Sequence, residues 1–279
     1  METDQIELTA FEPSHLDGAL RLSQQAKWPH RLEDWQMALA LSKGVVAVEA
    51  GGHVVGTVLV TPYKSDCATI NMVIVDEKMR GRGLGRKLMD IAVTMAGDMP
   101  LRLVATSDGL PLYEKFGFQE TGRIVQHQGV VQPLAAPTDI HDAEPADIAQ
   151  IAKLDRVAFG ADRTDLIAYL SRHARFAVSR QNGELTGFAA LRSFGRGEVI
   201  GPVVAGNLDE AKSLIAFFLA TRPGAFVRID TDAASDLSPW LEAGGLADVG
   251  GGIVMWRPEE SSTENGAARI FALTNQALG

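Results

Sequence analysis

The hydrophobic pattern changes period several times along the chain. Ala47-Val48-Glu49-Ala50-Gly51-Gly52-His53-Val54-Val55-Gly56 reads as strand, glycine turn, strand. Ile70-Asn71-Met72-Val73-Ile74-Val75 is a further apolar, strand-like run. The period then lengthens. Leu84, Leu88, Ile91, Ala92 and Met95 recur at spacings of four, three, one and three, which predicts an amphipathic helix. Taken together, these periods predict strand 5–10, helices 13–26 and 32–43, and strands 45–50, 53–62 and 67–76. Helix 83–96, strand 100–106, helix 109–116 and strand 118–127 follow.

The pattern then recurs. Ala177-Val178-Ser179-Arg180-Gln181-Asn182-Gly183-Glu184-Leu185-Thr186-Gly187 repeats the strand–turn–strand segment with one extra residue. Leu112-Tyr113-Glu114-Lys115-Phe116-Gly117-Phe118 is paralleled by Trp240-Leu241-Glu242-Ala243-Gly244-Gly245-Leu246. Order and spacing agree, so the chain reads as two related domains, 1–130 and 138–279, joined by the proline-containing segment Gln128–Pro137. The second predicts strand 138–141, helices 144–157 and 163–173, and strands 175–181, 184–194 and 197–205. Helix 208–221, strand 225–231, helix 237–243 and strand 246–256 complete it. Glu259–Gly266 reads as a polar loop, and Arg269-Ile270-Phe271-Ala272-Leu273 as a last strand.

Between the third strand run and its helix lies Arg80-Gly81-Arg82-Gly83-Leu84-Gly85-Arg86. Glycines allow close backbone approach, and the free N–H groups and dipole of a helix start favour anions. The net charge is −9, so this cationic loop is a local field on an acidic protein, and general nucleic-acid affinity is not expected. The physical reading is a phosphate or pyrophosphate cradle. A P-loop requires Ser or Thr after its Lys, and none follows Lys87 in the first turn; the glycine spacing also misses the dinucleotide fingerprint G-x-G-x-x-G.

Arg80, Gly83 and Gly85 match in register the Q/R-x-x-G-x-G/A loop of the GNAT superfamily of N-acetyltransferases. Leu112–Phe118, a short helix carrying Tyr and ending in Gly-Phe, resembles that superfamily's later signature. The tandem of domains resembles a bacterial arrangement of uncharacterised acetyltransferases. The resemblance implies an α/β (α+β) fold of two tandem GNAT-like domains, each a mixed, mostly antiparallel splayed sheet flanked by helices. It implies acetyl-CoA as cofactor, and N-acetyl transfer to a small-molecule or peptide amine.

Carried over residue by residue, the resemblance puts the pyrophosphate on Arg80, Gly81, Arg82, Gly83, Leu84, Gly85 and Arg86. The thioester carbonyl falls to the backbone N–H groups of Val73 and Val75. Tyr113 takes the part of general acid to the CoA sulfur. Ser107 stands where relatives often have an Asn against the cofactor arm. Relatives often place a Glu base on the strand before the loop, where this chain has Thr69 and Asn71. His30, with its ordinary pKa near neutrality, and Asp66, through a water, both stay open as the base. Trp28 and Trp35 are open to two roles, walling the acceptor pocket or packing helices.

The second domain departs at both functional positions. Its loop Ala205-Gly206-Asn207-Leu208-Asp209-Glu210-Ala211 carries carboxylates, and Leu241 stands in place of Tyr113, so it is expected to be degenerate for acetyl-CoA. Phe159-Gly160-Ala161-Asp162-Arg163 is a candidate wall of the acceptor pocket; the alternative is that Asp162 caps the next helix and Arg163 is solvated. Residues 1–132 alone are then expected to bind CoA but to lose acceptor-dependent activity.

The single cysteine, Cys67, excludes an internal disulfide, and it reads as a packing residue. The acidic start Met1-Glu2-Thr3-Asp4 lacks a signal-peptide h-region, and no apolar run is long enough to span a bilayer; a cytoplasmic enzyme is expected. A non-catalytic acyl-CoA-binding or regulatory module, and a partner-binding scaffold, are the competing classes.

Overall fold

The computed structural model describes residues 6–258 and 268–279. The expected loop Glu259–Gly266 and the acidic start lie outside them. The first half contains β1 (Glu7–Ala10), α1 (Leu16–Gln25), α2 (Leu32–Ala40), β2 (Lys43–Val48), β3 (Val54–Tyr63), β4 (Cys67–Val75), α3 (Leu84–Ala96), β5 (Leu101–Ala105), α4 (Leu110–Glu114) and β6 (Gln119–Val130). The second contains β7 (Ile140–Asp142), α5 (Ile148–Phe159), α6 (Thr164–His173), β8 (Arg175–Gln181), β9 (Glu184–Phe194), β10 (Gly197–Ala205), α7 (Leu208–Leu219), β11 (Phe226–Asp232), α8 (Ser238–Ala243), β12 (Ala247–Arg257) and β13 (Arg269–Ala272). No described helix is long and apolar enough to cross a membrane.

Side chains alternate across a strand, so a strand covered on both faces is apolar throughout. In β3, Val55, Val58 and Val60 meet α3, while Val54 and Leu59 meet α1 and α2. The buried stripe of α3 is Leu84, Leu88, Met89, Ala92 and Ala96. Met95, expected in that stripe, is exposed.

The halves do not keep their own strands. They form one 13-stranded sheet of order β1-β2-β3-β4-β5-β12-β6-β11-β13-β10-β9-β8-β7. β12, from the second half, pairs antiparallel with β5 of the first, Ile253 opposite Ala105 and Arg257 opposite Leu101. β6, from the first half, pairs with β11 of the second, Val130 opposite Phe226 and Ile124 opposite Asp232. β6 and β12 pair with each other between these two seams. Each half therefore lends its last long strand to the other. β6 runs on to Val130, through residues expected in the linker, because its backbone groups find ladder partners there. A shared core of Tyr63, Cys67, Ile124, Phe159, Val254 and Leu273 crosses the seam.

Candidate active site

The site begins where two parallel strands part. β4 and β5 pair only at Ala68–Leu101 and Thr69–Arg102, then diverge. The β3–β4 register slips between Thr57 and Leu59, and Met72 takes a φ of 52°, a left-handed conformation rare for a side chain of this size. Thr57 Oγ1 donates to the Met72 carbonyl at 2.6 Å, which satisfies the backbone at this bulge. The open strands line a cleft of about 1060 Å³ with Ile70–Val75 on one side and Val104 and Thr106 on the other. Val73 and Val75 are both in this lining. Asn71, 6% exposed, donates through Nδ2 to Thr61 Oγ1 at 2.8 Å, and its Oδ1 has no partner among the described residues.

The cleft leads to the start of α3. Gly81 and Gly83 have φ of 74° and 79°, and Gly83 is the N-cap, so no side chain satisfies the first N–H groups of the helix. Arg80, Gly81, Gly83, Leu84, Gly85 and Arg86 line this end; Arg82 is exposed and is not in the lining. An uncapped helix start flanked by cations fits a pyrophosphate.

Tyr113 lines the cleft opposite this loop. Burial raises its pKa to about 12. A Cβ on Gly109 would stand 2.8 Å from Tyr113 Cε2 and 3.4 Å from its hydroxyl, so the small residue one turn back is what lets the ring lie where it does. The sequence reading missed Gly109, although its i, i+4 relation to Tyr113 is a local signal. Ser107 is exposed and outside the lining, with Thr106 and Asp108 beside it lining instead.

The other expected groups fall differently. Asp66 sits in the β3–β4 turn and does not line the cleft. Its carboxylate accepts the Asp162 N–H at 2.9 Å and lies 3.6 Å from Arg156, so it joins the two halves away from the cleft. His30 does line the cleft, edge-on to Trp28, Trp35 and Phe194. Burial pushes its pKa down to about 4, with Asp34 opposing the fall and Arg228 adding to it. Trp35 Nε1 donates to Ser23 Oγ at 2.8 Å, and Ser23 Oγ lies 3.1 Å from His30 Nδ1. A ring held neutral in this way is a poor base for an ammonium of pKa about 10. Trp35 is fully buried packing, while Trp28 lines the cleft.

The far wall comes from the second half, but not from the expected segment. Arg163 is buried against Asp155 with Nη2 2.5 Å from Oδ1, and Asp162 accepts the Thr164 N–H; neither reaches the cleft. The wall is instead the β9–β10 turn with Phe194 and Arg196, together with Arg228 of β11, Val249 and Gly251 of β12, and Asn275–Ala277 after β13. Asp34 holds the turn in place. Its Oδ2 accepts the N–H groups of Arg31 and Gly195, both at 2.9 Å, and its Oδ1 takes Arg31 Nη2 at 2.8 Å. Burial raises the Asp34 pKa, but Arg31 and these N–H donors outweigh it, so the group stays below the usual carboxylate range.

The corresponding region of the second half is filled. β10 and β11 also pair in parallel, at Glu198–Val227 and Val199–Arg228, and then part. β13 lies between them, Ala272 facing both Val203 of β10 and Thr231 of β11. At the start of α7, Asn207 accepts the Glu210 N–H, and Glu210 Oε2 takes the Gly206 N–H at 2.7 Å. The chain's own carboxylate stands where the first half leaves backbone donors open.

A sheet that splays beside an uncapped glycine-rich helix start agrees with an acetyltransferase fold. Residues 42–120 and 151–272 each match an acetyltransferase (GNAT) domain family. The chain belongs to the GNAT acetyltransferase family. It is 28% identical over 282 residues, 98% of each chain, to the uncharacterized N-acetyltransferase YitH of Bacillus subtilis. Over 114 residues, 37% of this chain and 66% of the other, it is 33% identical to the uncharacterized N-acetyltransferase YhbS of Escherichia coli. The fold is similar to that of a Pyrococcus horikoshii protein described as an acetyltransferase, with TM-score 0.83 at 19% identity over 100% and 98% of the two chains. A tandem GNAT protein from the clavulanic acid biosynthesis pathway gives 0.64 at 15% identity over 93% and 100%.

Proposed function

We propose that the protein transfers the acetyl group of acetyl-CoA directly to an amine, at one site in the first half. The observation that carries this is the continuous path from the parted β4 and β5 to the uncapped start of α3. Bound there, acetyl-CoA would supply an activated acetyl thioester. Backbone N–H groups at the start of α3, with Arg80 and Arg86, hold the pyrophosphate. The backbone of Val73 and Val75 serves as the donor set for charge developing on the carbonyl oxygen. Their apolar side chains pack at the same time.

Tyr113 is protonated at neutral pH because burial holds its pKa near 12. A thiol has a pKa of about 8.5, so complete transfer of the phenolic proton to a thiolate runs uphill. Tyr113 thus acts on the departing sulfur as a hydrogen-bond donor, with solvent as the final proton source. The amine's proton leaves through water, since His30 is a poor base and Asp66 lies elsewhere.

The second half completes the acceptor wall and takes no cofactor of its own. The test is thiol release from acetyl-CoA by the full chain with a panel of amines. Amine-dependent release supports transfer. Tight CoA binding with no release on any amine would assign the protein to the non-catalytic acyl-CoA-binding alternative.

A further inference from the structure

The chain carries a net charge of −9, yet the lining of its main cleft is cationic. Among the described residues, Lys27, Arg80, Arg86, Arg196 and Arg228 line it, against one lining carboxylate, Asp108. Arg80 and Arg86 flank the start of α3. The other three lie around the α1–α2 loop, the β9–β10 turn and β11, at the acceptor end.

Two of these cations come from the second half and have unused donors. Arg196 has its guanidinium 4.9 Å from the Phe226 ring centroid and no hydrogen-bond or ion-pair partner among the described residues. Arg228 spends Nε and Nη2 on the fully buried Asp230, and its Nη1 makes no hydrogen bond among the described residues. Arg192 stands behind them, 5% exposed, without a carboxylate partner and with its Nε unsatisfied. Its guanidinium and that of Arg228 lie 4.9 and 5.2 Å from the same Phe194 ring. Two buried carboxylates, Asp34 and Asp230, offset part of this charge, but Arg31, Arg192, Arg196 and Arg228 outnumber them, and the surplus favours an anion in the cleft.

We infer that the acceptor is a primary amine that also bears a carboxylate, its carboxylate held by Arg196 and Arg228 and its amine turned toward the parted β4 and β5. This rests on the acetyl-transfer reading above and names its substrate class. An Arg guanidinium matches a carboxylate in shape and charge. The same field favours the reactive, neutral form of a nearby amine, which is useful in a site without a strong side-chain base. It disfavours polyamines and lysine-rich peptide segments, whose remaining charge is positive. The second half, its own splay closed by β13, thereby sets the selectivity of the first.

The experiment compares each common L-amino acid with its carboxamide, and with putrescine and spermidine, by thiol release from acetyl-CoA. The expected result is kcat/KM higher for the acids by roughly tenfold or more over their carboxamides. Arg196→Gln and Arg228→Lys should each shrink that ratio toward one, mainly through KM, while CoA affinity holds. A ratio near one in the parent protein, or a preference for polyamines, overturns the inference and leaves acetyl transfer standing. If no amine is acetylated, the acetyl-transfer reading fails separately. Calorimetric titration of the CoA-loaded protein with the same acid and carboxamide pairs then decides the anion site: selective heats for the acids support it, and equal or absent heats overturn it.

Discussion

Asp34 Oδ2 accepts the backbone N–H of Gly195 at 2.9 Å, so one carboxylate at the start of α2 fixes the β9–β10 turn of the other half. A Cβ on Gly195 would come 3.2 Å from the Pro29 carbonyl, which shows how closely the turn and the α1–α2 loop meet. Asp34→Ala leaves two backbone donors and Arg31 without their acceptor. It should cost about 1–3 kcal/mol, raise acceptor KM and leave CoA affinity unchanged. Denaturant melts and steady-state kinetics check this, and a shift in CoA affinity equal to that in KM would contradict it.

The same carboxylate sets a pH dependence. Its folded pKa is depressed, so its contribution to stability is complete above the unfolded value of about 3.9 and is lost as pH falls through the lower folded value. The docking of the turn should hold from pH 5 to 8 on this account and weaken only in acid. Thermal melts of the parent and Asp34→Asn should converge as pH drops below about 4. A constant gap down to pH 2 would remove Asp34 from the account.

Tyr113→Phe removes the donor to the sulfur and keeps the ring contact with Phe118. The expected loss is about 10²-fold in kcat, the low end for acid–base groups, with CoA affinity nearly unchanged. The pH–rate profile of the parent should show no tyrosine limb below about pH 11, because the pKa is held near 12. Unchanged kcat in the variant would assign Tyr113 to packing.

Gly83→Val places a branched side chain at φ 79°. Open space surrounds the position, so the penalty is conformational and falls on the helix start itself. A strain of about 1–3 kcal/mol corresponds to a loss of CoA affinity of roughly 5- to 150-fold. Calorimetry should also find one CoA per chain, because β13 and Glu210 occupy the second half's counterpart. A stoichiometry of two would show that β13 yields to the cofactor.

The parts of the site legible in the sequence are those with local causes. Arg80–Arg86 announces itself by glycine spacing and charge, and Leu112–Phe118 by helical spacing ending at Gly117. Both line or flank one cleft. The acceptor wall was not legible, because Phe194-Gly195-Arg196-Gly197 has the pattern of any hairpin turn. Its importance comes from Asp34, 161 residues away in sequence. Arg269–Leu273 was readable as a strand, but alternation cannot say which gap in a sheet a strand enters. Asp66 looked available for the same reason: its partners Asp162 and Arg156 are brought to it only by tertiary structure.

The exchange of β6 and β12 changes what a truncation should do. Residues 1–132 contain β6 but lack both its neighbours, β11 and β12, and leave the edge of β5 open where β12 pairs with it. An open edge bearing Leu101 and Leu103, together with an unpaired 12-residue strand, is a template for aggregation. The expected CoA-binding fragment should therefore be insoluble or unfolded when expressed alone. A cut within residues 133–137, which lie outside any strand or helix, breaks no ladder. With a protease site inserted there, the nicked protein should stay one particle by size exclusion, keep CoA binding and acceptor-dependent turnover, and unfold in a single transition. Separation of the two fragments in native buffer, or a soluble and active 1–132, would mean that the exchanged strands do not hold the halves together.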